Sequence, residues 1–540
     1  MSMVLKRRDL YNKAIRKTEE TEEKRMKRRT VAAILCMAMT ATLFTGCGSG
    51  AKEEGTESKD NKGADEEITE IIWQYPTTLD ADSEGFINME NALNEMMEKD
   101  IGVHVTFEPV NLMESQNDAI LKVSSGEQLD IMLTAFTSIG NVVSKGLINP
   151  LDDLLDEYGQ DILEHSHTKE MCGYDGQTYG VCTGDTIGNE FGYLIKKEYW
   201  EKYNLAEVTG WTEEKVYTTD ELEEIFEIVK AGEGENFYCD VPWNTTPEPM
   251  NNGYMEYDKI GGSLATGVLM LNRSFDDLTV YDLFETEEYK EYCEMRYDWA
   301  QKGYIAPDAA VTTEAPNSIL AQKNYLGVCA WGNPQDMIQY NPEIGCEMVC
   351  LDMVPRYAAY NGGSVIQWSI PITSANPEKA MQAINYIYQN PEAAWLIQFG
   401  IEGSEYEVVE EQGDLKQIRY LDDVSALKYY MPYGIWGNIL QWPAVAPSPI
   451  DYGARKQALD DAIPEERKSP AFGYSFNQEP VSTEIAAVNT VIEQYTPSLN
   501  CGAINPDEAL PEFISALKAA GMDKIIAEQQ KQLDEWAASK

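Results

Sequence analysis

Histidine is nearly absent from this chain of 540 residues, which contains three of them. His165 and His167 stand close together, but no third ligand follows at a spacing that suits a metal ion. The sequence also has no Gly-x-Ser-x-Gly elbow and no phosphate-binding loop. These absences argue against a histidine-rich metal site, a serine hydrolase and a nucleotide-binding enzyme.

Two further metal-like patterns are incomplete. Cys346 and Cys350 have the spacing of half a zinc site, but no second pair of cysteines or histidines follows. Residues 80–85 imitate the start of a calcium loop, yet Asn91 stands at the twelfth place, where a bidentate glutamate belongs. Buried strand thiols and the entry to a helix are the simpler explanations, and we predict no metal and no cofactor.

Basic residues are scarce, with 42 Lys and Arg against 91 Asp and Glu. Residues 1–46 hold 11 basic and 5 acidic residues, so the remainder carries 31 basic against 86 acidic. A surface this negative repels the phosphates of nucleic acids and anionic lipid headgroups. We therefore expect no nucleic-acid partner, and the charge does not identify a ligand.

Long apolar segments are missing too, and the sequence shows no internal membrane span. The apolar stretch from Val31 to Phe44 has fourteen residues and is interrupted by Thr40 and Thr42. Fourteen helical residues rise about 21 Å, which is short for a hydrocarbon core of about 30 Å. Because a basic cluster at 26–29 precedes the stretch, we interpret it as a secretory signal.

Cys47 follows this stretch after the pair Thr45-Gly46. This order resembles a bacterial lipobox, although Phe44 stands where leucine is usual, and it implies that Cys47 is lipid-modified. An ordinary signal with an incidental cysteine is the alternative. We predict a signal peptide at 1–46, with Met26 as a possible true start, and a lipidated cysteine with a flexible acidic tether at 47–67. Beyond Cys47 the tether has alanine as its only apolar residue type, too little to offset the entropy of ordering.

Cysteine is present but is too sparse for a disulfide scaffold in a chain this long. Eight cysteines remain besides Cys36 and Cys47, an even number that permits disulfides outside the cell. Buried free thiols that pack as small apolar groups are an equal alternative. The eight are Cys172, Cys182, Cys239, Cys293, Cys329, Cys346, Cys350 and Cys501.

Alternating strand and helix patterns begin after the tether. The predicted elements are a strand at 68–75, a helix with Phe86, Met89, Leu93 and Met96 or Met97 on one face, a strand at 103–107, a helix at 113–124 and a strand at 129–133. This order predicts a parallel α/β sheet. Ligands of such sheets bind outside the carboxyl ends of the strands.

Helices dominate the latter half. Asn-Pro pairs at 376–377, 390–391 and 505–506 place a capping side chain before a proline at the first helical position. Gly400 and Gly521 are suited to helix ends. We therefore predict three helices that begin at these pairs.

Several segments together resemble the extracellular solute-binding proteins of ABC importers. The resemblance lies in residues 130–133 with 144–155, in 321–331, in 362–380 and in 399–403. With the helical C-terminus, the last segment resembles the LplA-type lipoproteins of the family 1 sugar-binding type. The similarity extends over about residues 68–540.

The resemblance implies a periplasmic-binding-protein-like α/β fold of two lobes around a hinged cleft. We expect lobe 1 to comprise 68–180 and 361–430, and lobe 2 to comprise 181–360 and 431–540. Ligand is expected in the cleft, where closure completes its contacts.

A sugar site needs aromatic faces for the rings and polar side chains for the hydroxyls. The chain has 11 Trp and 31 Tyr, several of them in loop-like contexts. Trp331 matches the family's ligand-facing aromatic, and Asp185 and Asn189 follow the predicted first crossing. For each aromatic, packing in a core or between lobes is the alternative. The predicted ligand-binding residues are Trp73, Tyr75, Phe136, Asp185, Asn189, Trp243, Trp331, Trp368 and Trp436.

The expected function is capture of a carbohydrate, an oligosaccharide above all, and its delivery to an ABC permease. The protein would be a monomer, held by its lipid on the extracellular face of the cell membrane, and would not be an enzyme. A binding protein for a peptide or a metal is one alternative. A secreted glycoside-active enzyme is another, but no pair of carboxylates stands out for it.

Overall fold

The structure of this chain is a computed structural model. It describes residues 68–183, 187–212, 215–243, 248–331, 344–361, 366–446 and 448–540. For 189, 190, 248–251 and 331 it describes the backbone alone. The predicted signal peptide, Cys47 and the tether lie outside the described residues.

Strands and helices are distributed along the whole described part. The strands are β1 (Thr69–Pro76), β2 (Val103–Val110), β3 (Met132–Ala135), β4 (Gly173–Tyr174), β5 (Gln177–Thr178), β6 (Val181–Cys182), β7 (Gly188–Lys196), β8 (Tyr238–Asp240), β9 (Tyr325–Trp331), β10 (Met348–Ala358), β11 (Ile366–Ser369), β12 (Tyr406–Gln412), β13 (Leu415–Tyr420) and β14 (Ala444–Val445). The α-helices are α1 (Glu84–Ile101), α2 (Ser115–Ser125), α3 (Ile139–Ser144), α4 (Asp152–Tyr158), α5 (Gln160–His165), α6 (Thr168–Met171), α7 (Lys197–Lys202), α8 (Leu205–Thr209), α9 (Thr219–Glu233), α10 (Glu248–Met255), α11 (Glu287–Gln301), α12 (Pro316–Leu320), α13 (Pro377–Gln389), α14 (Pro391–Phe399), α15 (Tyr452–Asp461), α16 (Ser482–Asn500), α17 (Pro506–Ala520) and α18 (Met522–Ala538). Within these ranges no helix has both the length and the apolar character of a membrane span.

The first sheet has the predicted parallel start. β1 pairs in parallel with β2, and Trp73 forms a parallel bridge to Ile131 beside β3. β11 then pairs antiparallel with both β3 and β6. The predicted alternation of strand and helix from 68 to 133 is thereby confirmed, because α1 and α2 connect the three parallel strands.

The first core lies between this sheet and its helices. The predicted apolar face of α1 is buried through Phe86, Met89, Leu93 and Met97. Residues between Ile71 and Val181 combine in this core with residues between Trp368 and Trp436. Lobe 1 is therefore assembled from two separate stretches of the chain.

The second sheet has the order β10-β7-β9-β8. Its core combines residues between Phe191 and Tyr360 with residues between Ala471 and Leu533, which include the long helices α16 to α18. Two α/β lobes result, so the predicted fold class is confirmed. The exact lobe boundaries stay a prediction; Trp436 packs in the first core although it follows the expected boundary at 430.

The helix ends follow the Asn-Pro and glycine signals closely. Asn390 accepts hydrogen bonds from the backbone of Glu392 and Ala393, and Asn505 accepts one from Asp507. The side chain of Asn376 makes no capping bond, although α13 still begins at the following proline. Gly521 ends α17 with φ of 112°, a conformation that a side chain disfavours.

Candidate functional site

The carboxyl edge of the first sheet is the edge from which the chain leaves lobe 1. β3 ends at Ala135, which pairs with Ile366 at the start of β11. β6 ends at Cys182, beside Gln367 on β11. Between the two cores the chain crosses three times, at 183–187, 359–365 and 446–470, and the first two of these crossings connect at this edge, where ligands of α/β sheets bind.

The second sheet presents a matching edge. β7 begins at Gly188, which pairs with Ala358 at the end of β10. β9 ends on the same side, where Trp331 pairs with Phe191. Only a few residues separate this edge from that of lobe 1 along the chain, between Cys182 and Gly188 and between Ala358 and Ile366, so the two edges lie near each other.

Phe136 supplies an aromatic face on the lobe 1 side. It follows β3 directly, with φ of 54° and 48% of its surface exposed. A positive φ is uncommon for a bulky residue and often marks a functional position. Next to it, Gln116 accepts a hydrogen bond from the backbone of Ala135 at 3.2 Å, and its Nε2 has no partner among the described residues. Sequence reasoning missed Gln116, because nothing in its helix sets it apart.

Trp243 lies on the lobe 2 side, three residues beyond β8. Its Nε1 donates to the backbone oxygen of Cys329 at 2.7 Å, and its ring is half-buried against the second core. The backbones of Asn189 and Trp331 lie on the same edge, but their side chains are outside the description. Asp185 lies outside the described residues altogether. The predicted roles of these four residues stay predictions.

Four polar side chains form a seam between the lobes. Ser138 and Ser475 share a hydrogen bond of 2.5 Å, and the backbone nitrogen of Gln478 donates to Asn141 Oδ1 at 2.7 Å. We call Ser138, Asn141, Ser475 and Gln478 the polar seam. Gln478 Nε2 also donates to the backbone oxygen of Gly261, which holds the seam on lobe 2. Short polar residues in loops carry no signal of such a long-range contact, so the sequence did not predict the seam.

Tyr174 covers the lobe 1 end of the seam. A β-carbon on residue 140 would lie 2.8 Å from the Tyr174 ring, so the close approach requires Gly140. Burial raises the pKa of Tyr174, and the neighbouring Asp175 carboxylate adds to the shift. The hydroxyl therefore stays protonated at neutral pH and can donate a hydrogen bond.

The other four predicted aromatics lie inside the first core. Trp73, Tyr75, Trp368 and Trp436 are fully buried, with Trp368 and Trp436 centroids 4.8 Å apart and Tyr75 stacked on Trp436 at 5.1 Å. Trp73 meets Trp368 edge-on at 5.4 Å. The Nε1 atoms of Trp73 and Trp436 are buried without a hydrogen-bond partner among the described residues. The four rings pack on one another in this core, so the structure places them away from the cleft surface. Their predicted contact with ligand is untested.

Asp460 forms hydrogen bonds where the crossings meet. It lies on α15 in the third crossing, and its carboxylate accepts from the backbone of Ile187 at 2.5 Å and of Gly188 at 3.0 Å. Arg356, near the end of β10, donates to the same carboxylate at 2.6 Å. One buried side chain thus joins the third crossing to the end of the first crossing and to β10, just before the second crossing, at the expected hinge.

The metal-like patterns have ordinary surroundings. His167 contacts Glu170 at 2.7 Å, and the Cys346 sulfur lies 3.8 Å from that of Met348. Over the described ranges, no group of three or more His, Cys, Asp or Glu side chains has the arrangement of a metal site.

Comparison with known proteins gives relatives along most of the chain. It is 23% identical over 458 residues to a carbohydrate ABC transporter substrate-binding protein of Streptococcus pneumoniae, a match that covers 83% of this chain and 87% of the relative. Residues 470–538, which include Ser475 and Gln478, match a family described as a domain of unknown function, DUF3502.

Solved structures share the fold. The N-glycan transport solute binding protein (NgtS) of S. pneumoniae superposes with a TM-score of 0.73 at 20% identity, covering 87% of this chain and 99% of that protein. An extracellular solute-binding protein of Bifidobacterium longum subsp. infantis gives 0.58 at 16% identity, covering 87% and 98%. The resemblance to extracellular solute-binding proteins of ABC importers is confirmed.

Proposed function

We propose that this protein is a lipid-anchored, extracellular binding protein that captures an oligosaccharide and delivers it to an ABC permease. It acts by binding and release, without catalysis. The observation that carries the proposal is the pair of facing sheet edges joined by short crossings. The overall fold is shared with a protein whose structure has also been solved in complex with Man1GlcNAc.

The cleft offers the two kinds of contact that a sugar needs. The exposed ring of Phe136 provides an apolar face for a pyranose, and Trp243 stands on the opposite edge. The free amide of Gln116 can donate to a hydroxyl, and the polar seam adds hydroxyl and amide groups. Stacking fixes the plane of a sugar, and hydrogen bonds from both lobes fix its orientation.

Closure follows from the position of these groups on different lobes. A ligand that contacts Phe136 and the lobe 2 edge together binds the closed form more tightly than the open one. Asp460 holds the first and third crossings and β10 at one point, so the lobes can rotate about the crossings while each core stays intact. The closed surface is the one that we expect the permease to recognise.

The anchor is supported by the lipobox-like order at Cys47 and by the acidic segment that follows it. A tether of this composition keeps the receptor near the membrane while its lobes move. Substitution of Cys47 by Ser should release the protein from the membrane fraction into the medium. Retention of the variant on membranes would contradict the lipid anchor and leave the binding function unaffected.

A thermal-shift screen of the full chain tests the binding function. The probes are high-mannose N-glycan fragments, a fructan, an alginate oligosaccharide, short peptides and divalent cations. A ligand at 100 times its dissociation constant adds about 2.7 kcal/mol to the free energy of unfolding. A shift with one class of sugar supports the proposal, whereas a shift with peptide or cation alone replaces it by the corresponding alternative.

A further inference from the structure

Two cysteine side chains approach each other closely where the crossings meet. The sulfur atoms of Cys172 and Cys182 lie 3.1 Å apart, and both residues are fully buried. They pack with Ile187 in the first crossing, Ala358 at the end of β10 and Ile463 in the third crossing. We call these five residues, together with Met171, the hinge core.

The backbone around both cysteines is held in place. The nitrogen of Tyr179 donates to the Cys172 oxygen at 3.0 Å, and that of Cys182 donates to Thr168 Oγ1 at 3.1 Å. Between them the chain makes the tight β4–β5 hairpin. A disulfide requires a sulfur separation of about 2.05 Å, so the two sulfur atoms need to approach each other by about 1 Å.

We propose that Cys172 and Cys182 form a disulfide that closes the 172–182 loop onto the hinge core in the exported protein. Each thiol loses a proton and an electron, two S–H bonds break and one S–S bond forms. The oxidant is another disulfide, of a thiol oxidoreductase or of glutathione, which takes up the two electrons and two protons as a pair of thiols. Disulfides form and persist in the oxidising surroundings of exported proteins.

The bond forms during folding. Burial raises the pKa of the Cys172 thiol, and its contact with Cys182 adds to the shift. Since the thiolate is the attacking species, exchange is slow once the hinge core has formed. The bond then anchors the hairpin to β6, the last strand before the first crossing, and restrains one side of the hinge.

Peptide mass spectrometry tests the proposal directly. The full chain, unfolded and reduced, is refolded in reduced and oxidised glutathione, quenched in acid, alkylated in denaturant and digested with trypsin. Cleavage after Lys169 and Lys196 yields one peptide that contains both cysteines. We expect this peptide unalkylated and lighter by two hydrogens than its reduced form, and cleavage before Asp175 should leave two fragments that stay joined. Recovery of the peptide with both cysteines alkylated would overturn the proposal.

Variants identify the effect of the bond on stability. A reductant should lower the melting temperature of the refolded wild type by a few degrees and leave a Cys172→Ser/Cys182→Ser variant unchanged. Cys346→Ser is the matched control, because Cys346 is less buried, and it should respond to reductant as the wild type does. An equal response of the wild type and the double variant would show that another bond is responsible and contradict the assignment.

Discussion

Two aspartate–arginine pairs in this protein have the same chemistry but join different parts of the fold. Arg296 on α11 donates to Asp240 on β8 at 2.6 Å, and both side chains are fully buried within lobe 2. Arg356 donates to Asp460 at the same distance, but this pair connects β10 to the third crossing, and Arg356 is only partly buried. The first pair holds a helix on a sheet, and the second holds a hinge.

The first pair therefore matters mainly for the stability of lobe 2, and the second for the movement of the lobes. Arg296 also donates to the backbone oxygen of Asn500, so its loss would disconnect α11 from both β8 and the end of α16. Asp460 instead receives two backbone N–H groups of the first crossing, which stay close to each other when the lobes rotate. We therefore expect damage to the first pair to unfold lobe 2, and damage to the second to alter closure.

The largest effect is expected from Arg296→Met. The change leaves the Asp240 carboxylate buried without its cation, which costs about 3–5 kcal/mol of unfolding free energy. Urea denaturation followed by circular dichroism measures the loss. Adding Asp240→Leu removes the isolated charge and should restore most of the stability, since an apolar replacement of a whole buried pair is often neutral. A double variant as unstable as the single one would show that the ion pair is not the cause.

Asp282 is also buried, but unlike Asp240 and Asp460 it has no arginine partner among the described residues. Burial raises the pKa of Asp282 to about 7, and its Oδ2 has no partner among the described residues. From about pH 5 to about pH 7 the unfolded chain is already ionised while the folded side chain still holds its proton, so wild-type stability falls. Asp282→Asn should remove this fall and gain about 2–3 kcal/mol relative to wild type over that range, at 1.36 kcal/mol per pH unit.

Asp277 is the control for Asp282, because its pKa is shifted in the opposite direction. Thr279 donates hydrogen bonds that lower the pKa of Asp277, so this carboxylate contributes stability above its unfolded pKa and loses it in acid. Asp277→Asn should therefore be less stable than wild type at neutral pH, and the difference should shrink as the pH falls. Urea denaturation at several pH values measures both variants, and curves that run parallel to wild type would contradict the assignments.

A smaller loss of stability is expected from Asp460→Asn, about 1–2 kcal/mol, because the amide still accepts one backbone hydrogen bond and Arg356 is less completely buried than Arg296. Closure should respond more strongly, seen as a changed ligand association rate in stopped-flow fluorescence. Asp461→Asn on the same helix contacts Gln457 at the surface and should change neither quantity. An unchanged association rate for Asp460→Asn would remove Asp460 from the hinge.

The smallest effect on stability is expected at the cleft edge. Phe136→Ala and Trp331→Ala should each weaken ligand binding more than tenfold, above about 1.4 kcal/mol, and Phe136→Ala should hardly change the melting temperature. Leu121→Ala, an exposed apolar residue on α2, is the control in the same lobe. Isothermal titration calorimetry with the sugar found in the screen measures the affinities of the three variants and of the wild type. Affinities equal to that of the wild type for Phe136→Ala and Trp331→Ala would exclude both aromatics from the site.

Local patterns in the sequence predicted the elements that depend on local physics. Alternating apolar residues predicted β2, an apolar stripe predicted the buried face of α1, and Asn390 and Asn505 predicted helix starts. Each of these features depends on residues a few positions apart. The parallel order of the first sheet then follows from the alternation of strands and helices.

The aromatics show why the site was harder to predict. Trp368 and Trp436 stand next to turn-like residues, a context that suits a ligand platform as well as a core, and both are buried against Trp73. Asp460 and Ser475 act on residues more than 270 and 330 positions away along the chain. Such contacts depend on how the lobes assemble, which no short window of sequence contains.

The polar seam affects the fraction of the ligand-free receptor that is in the shut form. Each of its hydrogen bonds contributes a net 0.5–1.5 kcal/mol or so, since water can replace it when the lobes part. The seam therefore favours the shut form by only a few kcal/mol of free energy, an amount that a cargo of modest affinity can outweigh. A substitution that strengthened the seam would shut the cleft without cargo and reduce the apparent affinity by the fraction of receptors left open.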